Sequence, residues 1–165
     1  MAYDMFLQID GVKGDSTDAA HKDWIEVSFY AHKISQAAKG GGRSGSGSAL
    51  AGRADHEDFV ITKRLDLATP SLSLFCCNGK HIANAKLEIC RAMGDKTVFM
   101  TYTFKDVVIA SISVRGSRSG EDLLPFEEVA LRYGEVRWAY VQTKADGTKG
   151  ATLTQSWSTE QNKGM

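Results

Sequence analysis

The segment VFMTYTFKDVVIASISV, residues 98–114, indicates the fold class of this chain. In its first half, from Val98 to Phe104, apolar or aromatic residues occupy every second position. That period of two is typical of a strand with one buried face. The second half, from Val107 to Val114, is rich in β-branched residues and predicts a further strand. The segment therefore predicts two consecutive strands of a mainly β protein.

The same alternation recurs on both sides of this segment. Further strands are predicted at Met5–Ile9, Trp24–Ile34, Phe59–Ile61, Leu87–Ile89, Val129–Tyr133 and Val136–Tyr140. Turn signals that contain glycine, such as Gly94-Asp95 and Asp146-Gly147, separate the predicted strands. Roughly seven or eight strands at this spacing predict a sandwich or a barrel.

One segment departs from the strand pattern and predicts a short helix of about two turns. Thr69 suits the cap of this helix, Pro70 suits its first turn, and Gly79 suits its end. Side chains three and four positions apart lie on the same face of a helix, so an apolar face is expected to pack on the sheet. The residues on that face are Leu72, Phe75 and Cys76.

The composition is that of one globular domain without net charge. The 165 residues fit a single domain over residues 1–165, with a polar and frayed tail at about 158–165. Twenty basic and twenty acidic side chains cancel, so no excess positive charge is available to neutralise nucleic-acid phosphates. We therefore expect no nucleic-acid partner. The absence of net charge also permits self-association, because no long-range repulsion separates the copies.

Targeting and redox signals favour a cytoplasmic folding environment. The first residues, MAYDMFLQID, have neither the basic start nor the apolar run of a secretory signal peptide. No stretch approaches the roughly 20 apolar residues that cross a bilayer, so we expect no membrane insertion. The three cysteines, Cys76, Cys77 and Cys90, are odd in number and two are adjacent, which favours reduced thiols over a disulfide framework.

Candidate reactive groups do not form a site in the sequence. Cys76 or Cys77 with His81 would suggest a nucleophile and a base, but both thiols fall at the C-terminal end of the predicted helix, where the dipole opposes a thiolate. We expect core cysteines instead. Asp15 and Asp18 lack the twelve-residue calcium pattern and are interpreted as capping residues of a solvated turn. With no metal-ligand spacing either, we expect no catalytic residue and no metal.

A glycine-rich stretch, KGGGRSGSGS at residues 39–48, is the one segment of low complexity. Gly40, Gly42 and Gly45 match the spacing of a dinucleotide-binding loop, but the residues that follow enter a β pattern and not the helix that holds a pyrophosphate. We expect no cofactor there. Within a predicted loop over about residues 36–55, the stretch is either a mobile tip or a contact arm that orders against another subunit.

Taken in order, these segments resemble the Hcp family, the tube-forming proteins of bacterial type VI secretion systems. The resemblance begins with MAYDMFLQIDGVKGDSTDAAHKDWIEV, continues through Gln36 and the glycine-rich stretch, and covers LDLATPSLSLFCCNGKHIANAKLEICRA. It resumes in FKDVVIASISV and EEVALRYGEVRWAYV and ends with Trp157 and Asn162. No single motif is diagnostic, but the ordered set covers nearly the whole chain.

The resemblance implies a β-barrel of two antiparallel sheets with one short flanking α-helix. It also implies a homohexameric ring that stacks into a hollow tube, exported inside a contractile sheath together with spike and baseplate proteins. Small effector proteins can be held and protected in the lumen. The chain would be cytoplasmic before assembly and secreted without a signal peptide. Because it ends at Met165, near the expected end of the core domain, we expect a structural subunit without a toxin domain.

Two groups of residues are candidates for contacts within such a tube. The glycine-rich arm is the first choice for ring stacking, through Gly40, Gly41, Gly42, Arg43, Ser44 and Gly45. Lumen-facing residues should alternate along one strand. The second predicted strand offers two sets that the sequence does not separate: Phe29, Ala31 and Lys33, or Ser28, Tyr30 and His32. A monomeric ligand-binding β-barrel and a small cysteine-dependent enzyme are the alternative functions.

Overall fold

Most of the chain is β-strand. The computed structural model describes residues 3–38, 51–91, 96–116 and 125–165. Within these ranges one helix, α1, spans Thr69–Asn78, and no helix is long and apolar enough to cross a membrane. The strands are β1 (Tyr3–Ile9), β2 (Ile25–Glu26), β3 (Phe29–Ala31), β4 (Ile34–Ala38), β5 (Ala51–His56), β6 (Phe59–Arg64), β7 (Ile82–Arg91), β8 (Thr97–Arg115), β9 (Phe126–Arg132), β10 (Glu135–Thr143), β11 (Lys149–Ser158) and β12 (Lys163–Gly164).

Two antiparallel sheets are joined by the shared strand β8. The first sheet has the order β12-β11-β10-β8-β7-β1-β2, and the second has the order β3-β6-β9-β8. β4 and β5 form a separate two-stranded ladder. The predicted class, two antiparallel sheets with one short helix, is confirmed. Among the described residues no ladder joins β2 to β3, so hydrogen bonding leaves the barrel open at that point.

β8 is one continuous strand where the sequence predicted two. Its first half pairs with β7 and β10, and its second half, from Val108 onward, pairs with β9. Between the halves Asp106 has a φ of 52°, which bends the chain without ending the strand. The amide of Gly134 donates hydrogen bonds to the carbonyl oxygens of Lys105 and Asp106, at 3.0 and 3.2 Å. The prediction of two separate strands was wrong because the chain passes from one sheet to the other through this bend.

The strand predicted over Trp24–Ile34 is also interrupted. The amide of Val27 donates to the carbonyl of Met5 at 3.0 Å, whereas the next amide, that of Ser28, donates to the carbonyl of Thr62 at 2.8 Å. The chain therefore leaves the first sheet and enters the second between two consecutive residues. Apolar residues continue to alternate in sequence through this corner, so the alternation could not indicate it.

The hydrophobic core lies between the two sheets and beneath α1. Its fully buried members include Leu7, Phe59, Ile61, Leu87, Phe104, Val129 and Leu131. Leu72 and Phe75 are the buried residues of α1, and Cys76 is half-buried against the same core, as predicted. Gly79 ends the helix as predicted, with a φ of 62° and an amide that donates to the carbonyl of Phe75.

Thr69 does not cap the helix by a side-chain hydrogen bond, contrary to prediction. The cap position is held by Ala68, and the Thr69 hydroxyl donates to Oε1 of Glu127 at 2.9 Å. Glu127 forms a buried ion pair with Lys63, whose Nζ also lies 2.5 Å from Oδ1 of Asp66. The hydroxyl is thus drawn into a buried polar cluster that joins β6, β9 and the start of α1.

The last residues of the chain are paired with the first sheet. Trp157 is the register partner of Gly164, and Ser158 is that of Lys163. The amide of Met165 donates to the carbonyl of Ser156 at 3.2 Å. The expectation of a frayed tail was wrong, because its backbone groups find partners on β11 even though its side chains are exposed.

Candidate functional site

The strand β3 and the residues beside it separate the two candidate lumen sets. Phe29 is 59% exposed, and Ala31 and Lys33 are also exposed, so this set projects away from the core. Of the other set, Tyr30 and His32 are half-buried against the core, and only Ser28 is exposed. The second set is therefore largely committed to packing, and the surface of β3 is formed by the first.

Lys33 contributes to this surface a positive charge that is held in an ion pair. Its Nζ forms an ion pair with Oε1 of Glu57 across the connection between β3 and β6. The hydrogen bond to Glu57 and the charge of that carboxylate raise the pKa of Lys33. The outward face of β3 thus presents an aromatic ring, a methyl group and a paired ammonium, a chemically mixed surface that suits contact with another protein.

Behind β3 lies an aromatic and histidine cluster that the sequence did not indicate. Tyr30 stacks on Phe59, with ring centroids 5.7 Å apart. Nε2 of His32 lies 2.7 Å from the hydroxyl of Tyr133, and Nδ1 of His56 lies 3.0 Å from the same oxygen. Burial, followed by the nearby His56, lowers the pKa of His32 to about 4, and burial also lowers that of His56. Through the hydroxyl of Tyr133, these neutral imidazoles hold in place the residue that follows β3, the strand that carries the candidate lumen face.

A second histidine site lies against the other side of the first sheet. His21 is buried, with Nδ1 2.8 Å from Asp18 and Nε2 2.9 Å from Glu88. Its ring stacks on Phe6 at a centroid distance of 4.3 Å. The hydrogen bond from Lys96, and then that from His21, lower the pKa of Asp18. Oδ1 of Asp18 also accepts hydrogen bonds from the backbone amides of Ala20 and His21, as expected for a residue that caps a turn.

The cysteines do not assemble a catalytic arrangement in the described residues. Cys77 is exposed, which corrects the expectation that the adjacent pair would both be core cysteines; the helix turns it away from the face that buries Phe75. His81 is exposed, and no hydrogen bond in the described part of the chain joins it to either helix thiol. Cys90 is buried, and burial together with the nearby carboxylates raises the pKa of its thiol to about 11. Among the same residues no cluster of His, Cys, Asp and Glu could hold a metal ion.

The candidate stacking residues, Gly40, Gly41, Gly42, Arg43, Ser44 and Gly45, lie outside the described residues. The structure describes the two strands that flank them. Ser35 pairs with Asp55 and Gln36 with Ala54, so the ends of the predicted loop range are strand residues. The glycine-rich segment therefore connects the two strands of a ladder.

The whole chain is similar in sequence and fold to proteins of type VI secretion. The family described as "Type VI secretion system effector, Hcp" matches residues 6–140. The protein hcp1 of Pseudomonas aeruginosa is 39% identical over 164 residues, which cover 98% of this chain and 98% of that protein.

Solved structures give the same result. One described as a type six secretion system protein is 33% identical, with a TM-score of 0.91, and the match covers 99% of this chain and 100% of that one. Hcp1 from Salmonella typhimurium is also 33% identical, with a TM-score of 0.81 over 100% of both chains. Sequence and fold agree over the same residues: the chain belongs to the Hcp family of type VI secretion proteins.

Proposed function

We propose that this Hcp chain is the structural subunit of a type VI secretion tube, in which homohexameric rings stack into a hollow, exported cylinder. The observation that carries the proposal is the likeness to Hcp proteins over the full length of the chain. Neutral net charge is compatible with dense packing of many copies. In this role the chain is a protein that assembles and is secreted, and its surfaces matter more than any reactive group.

The lumen is lined, in this proposal, by Phe29, Ala31 and Lys33. The support is their orientation, since all three are exposed while Tyr30 and His32 pack inward. Small effector proteins would contact this face during transport and be shielded from proteolysis. A surface with one aromatic ring and a paired charge offers both apolar and polar contacts to a cargo.

Ring stacking is assigned to the glycine-rich segment between β4 and β5. Ordering a chain rich in glycine and serine costs conformational entropy, so stacking contacts made by it would be weaker than the contacts that close a ring. The further partners of the assembled tube are the sheath, spike and baseplate proteins. Before assembly the subunit is placed in the cytoplasm, and it leaves the cell through the secretion system itself.

Native mass spectrometry of the purified protein, supported by negative-stain microscopy, tests the proposed function. The expected result is a mass near six times 18.0 kDa together with ring-shaped particles. A monomer at micromolar concentration would contradict the proposal and favour a monomeric ligand-binding barrel. Deletion of residues 40–48 tests the stacking assignment separately, with rings retained and tubes lost as the expected outcome.

A further inference from the structure

The β4–β5 ladder stands apart from the two sheets. Its strands pair with each other, and among the described residues the backbone of neither lies beside another strand or the helix. The side chains described on β4, those of Ile34, Ser35 and Gln36, are all exposed. On β5, Ala54 and His56 are half-buried. Side chains, and not backbone hydrogen bonds, therefore hold the ladder on the rest of the subunit.

His56 connects the ladder to both sheets. Its Nδ1 lies 3.0 Å from the hydroxyl oxygen of Tyr133, and its ring stacks on that of Trp157 with the centroids 6.4 Å apart. Arg53 adds a hydrogen bond from its guanidinium to the carbonyl oxygen of Thr159. A crevice of about 260 Å³, lined mostly by polar and charged side chains, separates the ladder from the sheets. Because the ladder covers little apolar surface there, these side-chain contacts determine whether it stays in place.

The Tyr133 hydroxyl also binds a second imidazole, since Nε2 of His32 lies 2.7 Å from the same oxygen. With both rings neutral, the hydroxyl donates to one ring and accepts from the other. If His56 alone is protonated, its Nδ1 donates to the hydroxyl and the hydroxyl donates to His32, so both hydrogen bonds are kept. If both rings are protonated, both nitrogens are donors and the hydroxyl proton has no acceptor. The second proton therefore breaks the arrangement and places two positive charges beside one oxygen.

The other charged groups of this region do not compensate a second positive charge. Five of them line the crevice: Arg53, Asp55, Glu57, Asp58 and Arg132. Glu57 is paired with Lys33, and Asp58 with Arg132. Burial lowers the pKa of His56, and the charge of Asp55 raises it by less. Beside His32 lie the phenol of Tyr102 and the indole of Trp138. Among the described residues, no carboxylate hydrogen-bonds to either imidazole.

From this geometry we propose that the Tyr133 hydroxyl is an acid-sensitive latch, which holds the β4–β5 ladder while at most one of His32 and His56 is charged and releases it when both are. The ladder would move as a unit about its base, where the amide of Glu57 donates to the carbonyl oxygen of Lys33 at 3.1 Å. Burial, followed by the nearby His56, lowers the pKa of His32 to about 4, so the second proton is expected to bind near that pH.

The latch goes beyond the proposed tube function, because it is a conformational property of one subunit. Its consequence for a tube is nevertheless direct. The segment assigned to ring stacking connects β4 and β5, so it would change position together with the ladder. Acid would then alter the surface offered for stacking without unfolding the sheets.

Fluorine NMR of the full chain, labelled with fluorotryptophan, tests the latch. Trp157 faces the ladder through His56, and its resonance is identified by its absence from Trp157→Phe. A soluble gadolinium chelate relaxes exposed fluorine nuclei faster than covered ones, so it measures whether the ladder covers Trp157. We expect the wild-type chain to lose this cover with a midpoint near pH 4, while its far-UV circular dichroism stays constant.

Two variants have opposite expected effects. His32→Gln keeps an acceptor for the Tyr133 hydroxyl but cannot become charged, so it should lose the acid transition and keep Trp157 covered. It also retains every carboxylate, so carboxylate titration cannot cause the difference. Tyr133→Phe removes the hydroxyl and should uncover Trp157 already at neutral pH. The matched controls are His81→Gln and Tyr140→Phe, at exposed residues outside the latch, and both should behave as the wild-type chain.

Three results would overturn the latch. The first is a wild-type chain whose Trp157 stays covered near pH 4, or is uncovered only together with loss of the circular dichroism signal, because the whole subunit then unfolds. The second is an acid transition that His32→Gln retains. The third is a covered Trp157 in Tyr133→Phe at neutral pH. Each readout lies within one chain, so failure of the latch is distinguishable from failure of the ring, which native mass spectrometry tests.

Discussion

The hydroxyl oxygen of Tyr133 lies 2.7 Å from Nε2 of His32, which ties the end of β9 to the residue after β3. His56 approaches the same oxygen with Nδ1 at 3.0 Å. A hydroxyl has one proton, so it donates to one imidazole and accepts from the other, and this suits two neutral rings. The lowered pKa values of both histidines agree with that arrangement.

Acidification should destabilise the subunit through His32. Its pKa is about 4 in the folded state and about 6.5 in an unfolded chain, so the unfolded state binds more protons between these values. The contribution of His32 to the free energy of unfolding is therefore fully present above about pH 6.5 and is lost as the pH falls toward about 4. The loss is about 1–2 kcal/mol once solvent screening is included. Urea unfolding across this range measures the change. His32→Gln should flatten the dependence, and an unchanged slope in that variant would assign the effect elsewhere.

The bend in β8 should tolerate few side chains at Asp106. A φ of 52° is accessible to Asp, Asn and Gly, but a β-branched residue is strained there. We expect Asp106→Val to lower the free energy of unfolding by about 1–2 kcal/mol, and Asp106→Asn to leave it nearly unchanged. Chemical denaturation of the two variants gives the comparison. Equal stability of both would mean that the bend relaxes without cost.

Removal of Lys63 should have a large effect because its partner is buried as well. Lys63→Met leaves the carboxylate of Glu127 without its counter-charge, and Oε2 of Glu127 already has no hydrogen-bond partner among the described atoms. The expected loss is about 3–5 kcal/mol, and much of it should return in the double variant with Glu127→Leu. Lys105→Met is the surface control: its pair with Glu135 is exposed, so under about 1 kcal/mol is expected. A double variant no better than Lys63→Met would refute the coupling.

The exposed thiol of Cys77 should react before the buried thiol of Cys90. Cys77 is exposed and should be alkylated in the native protein, whereas Cys90 is buried, has a pKa of about 11, and should react only on unfolding. Peptide mapping after brief labelling near neutral pH measures each site, with Cys77→Ser as the control. Very fast labelling of Cys76 or Cys77 near neutral pH would instead support the cysteine-dependent enzyme.

The proposed lumen face can be tested with charge. Phe29→Glu and Ala31→Glu should reduce the amount of effector protein that co-purifies with the rings, since apolar contact is lost and a buried charge is introduced in the complex. Ring mass should not change. Val114→Glu, at a residue 53% exposed on β8, is the control. Undiminished cargo in both β3 variants would exclude this strand from the lumen.

Alternation predicted the strands that have one buried face and failed where burial does not alternate. β6 was predicted because Ile61 is buried between two half-buried neighbours, and β9 because Val129 and Leu131, two positions apart, are both buried on one face. β11 was missed because its side chains are exposed on both faces over most of its length. The corner at Val27 and the bend at Asp106 depend on which strand supplies the next hydrogen bond, and this is a property of the folded chain.

The surface residues were predictable only as far as strand periodicity extends. It placed Phe29 and Tyr30 on opposite faces, but the choice between the faces requires knowledge of what packs behind β3. The cluster around Tyr133 joins residues as much as 101 positions apart, and no local pattern links them. The resemblance to a family supplied the function, which neither composition nor periodicity contains.

The continuity of β8 has a mechanical consequence. Antiparallel hydrogen bonds lie perpendicular to the strands. A force along β8 therefore acts in shear on all of its hydrogen bonds to β7, β10 and β9 at the same time. Bonds loaded in this way must fail collectively, whereas bonds at a peeled end fail one after another. A strand shared by both sheets therefore distributes a force applied along it over both sheets, so that neither sheet can be pulled apart alone at this strand.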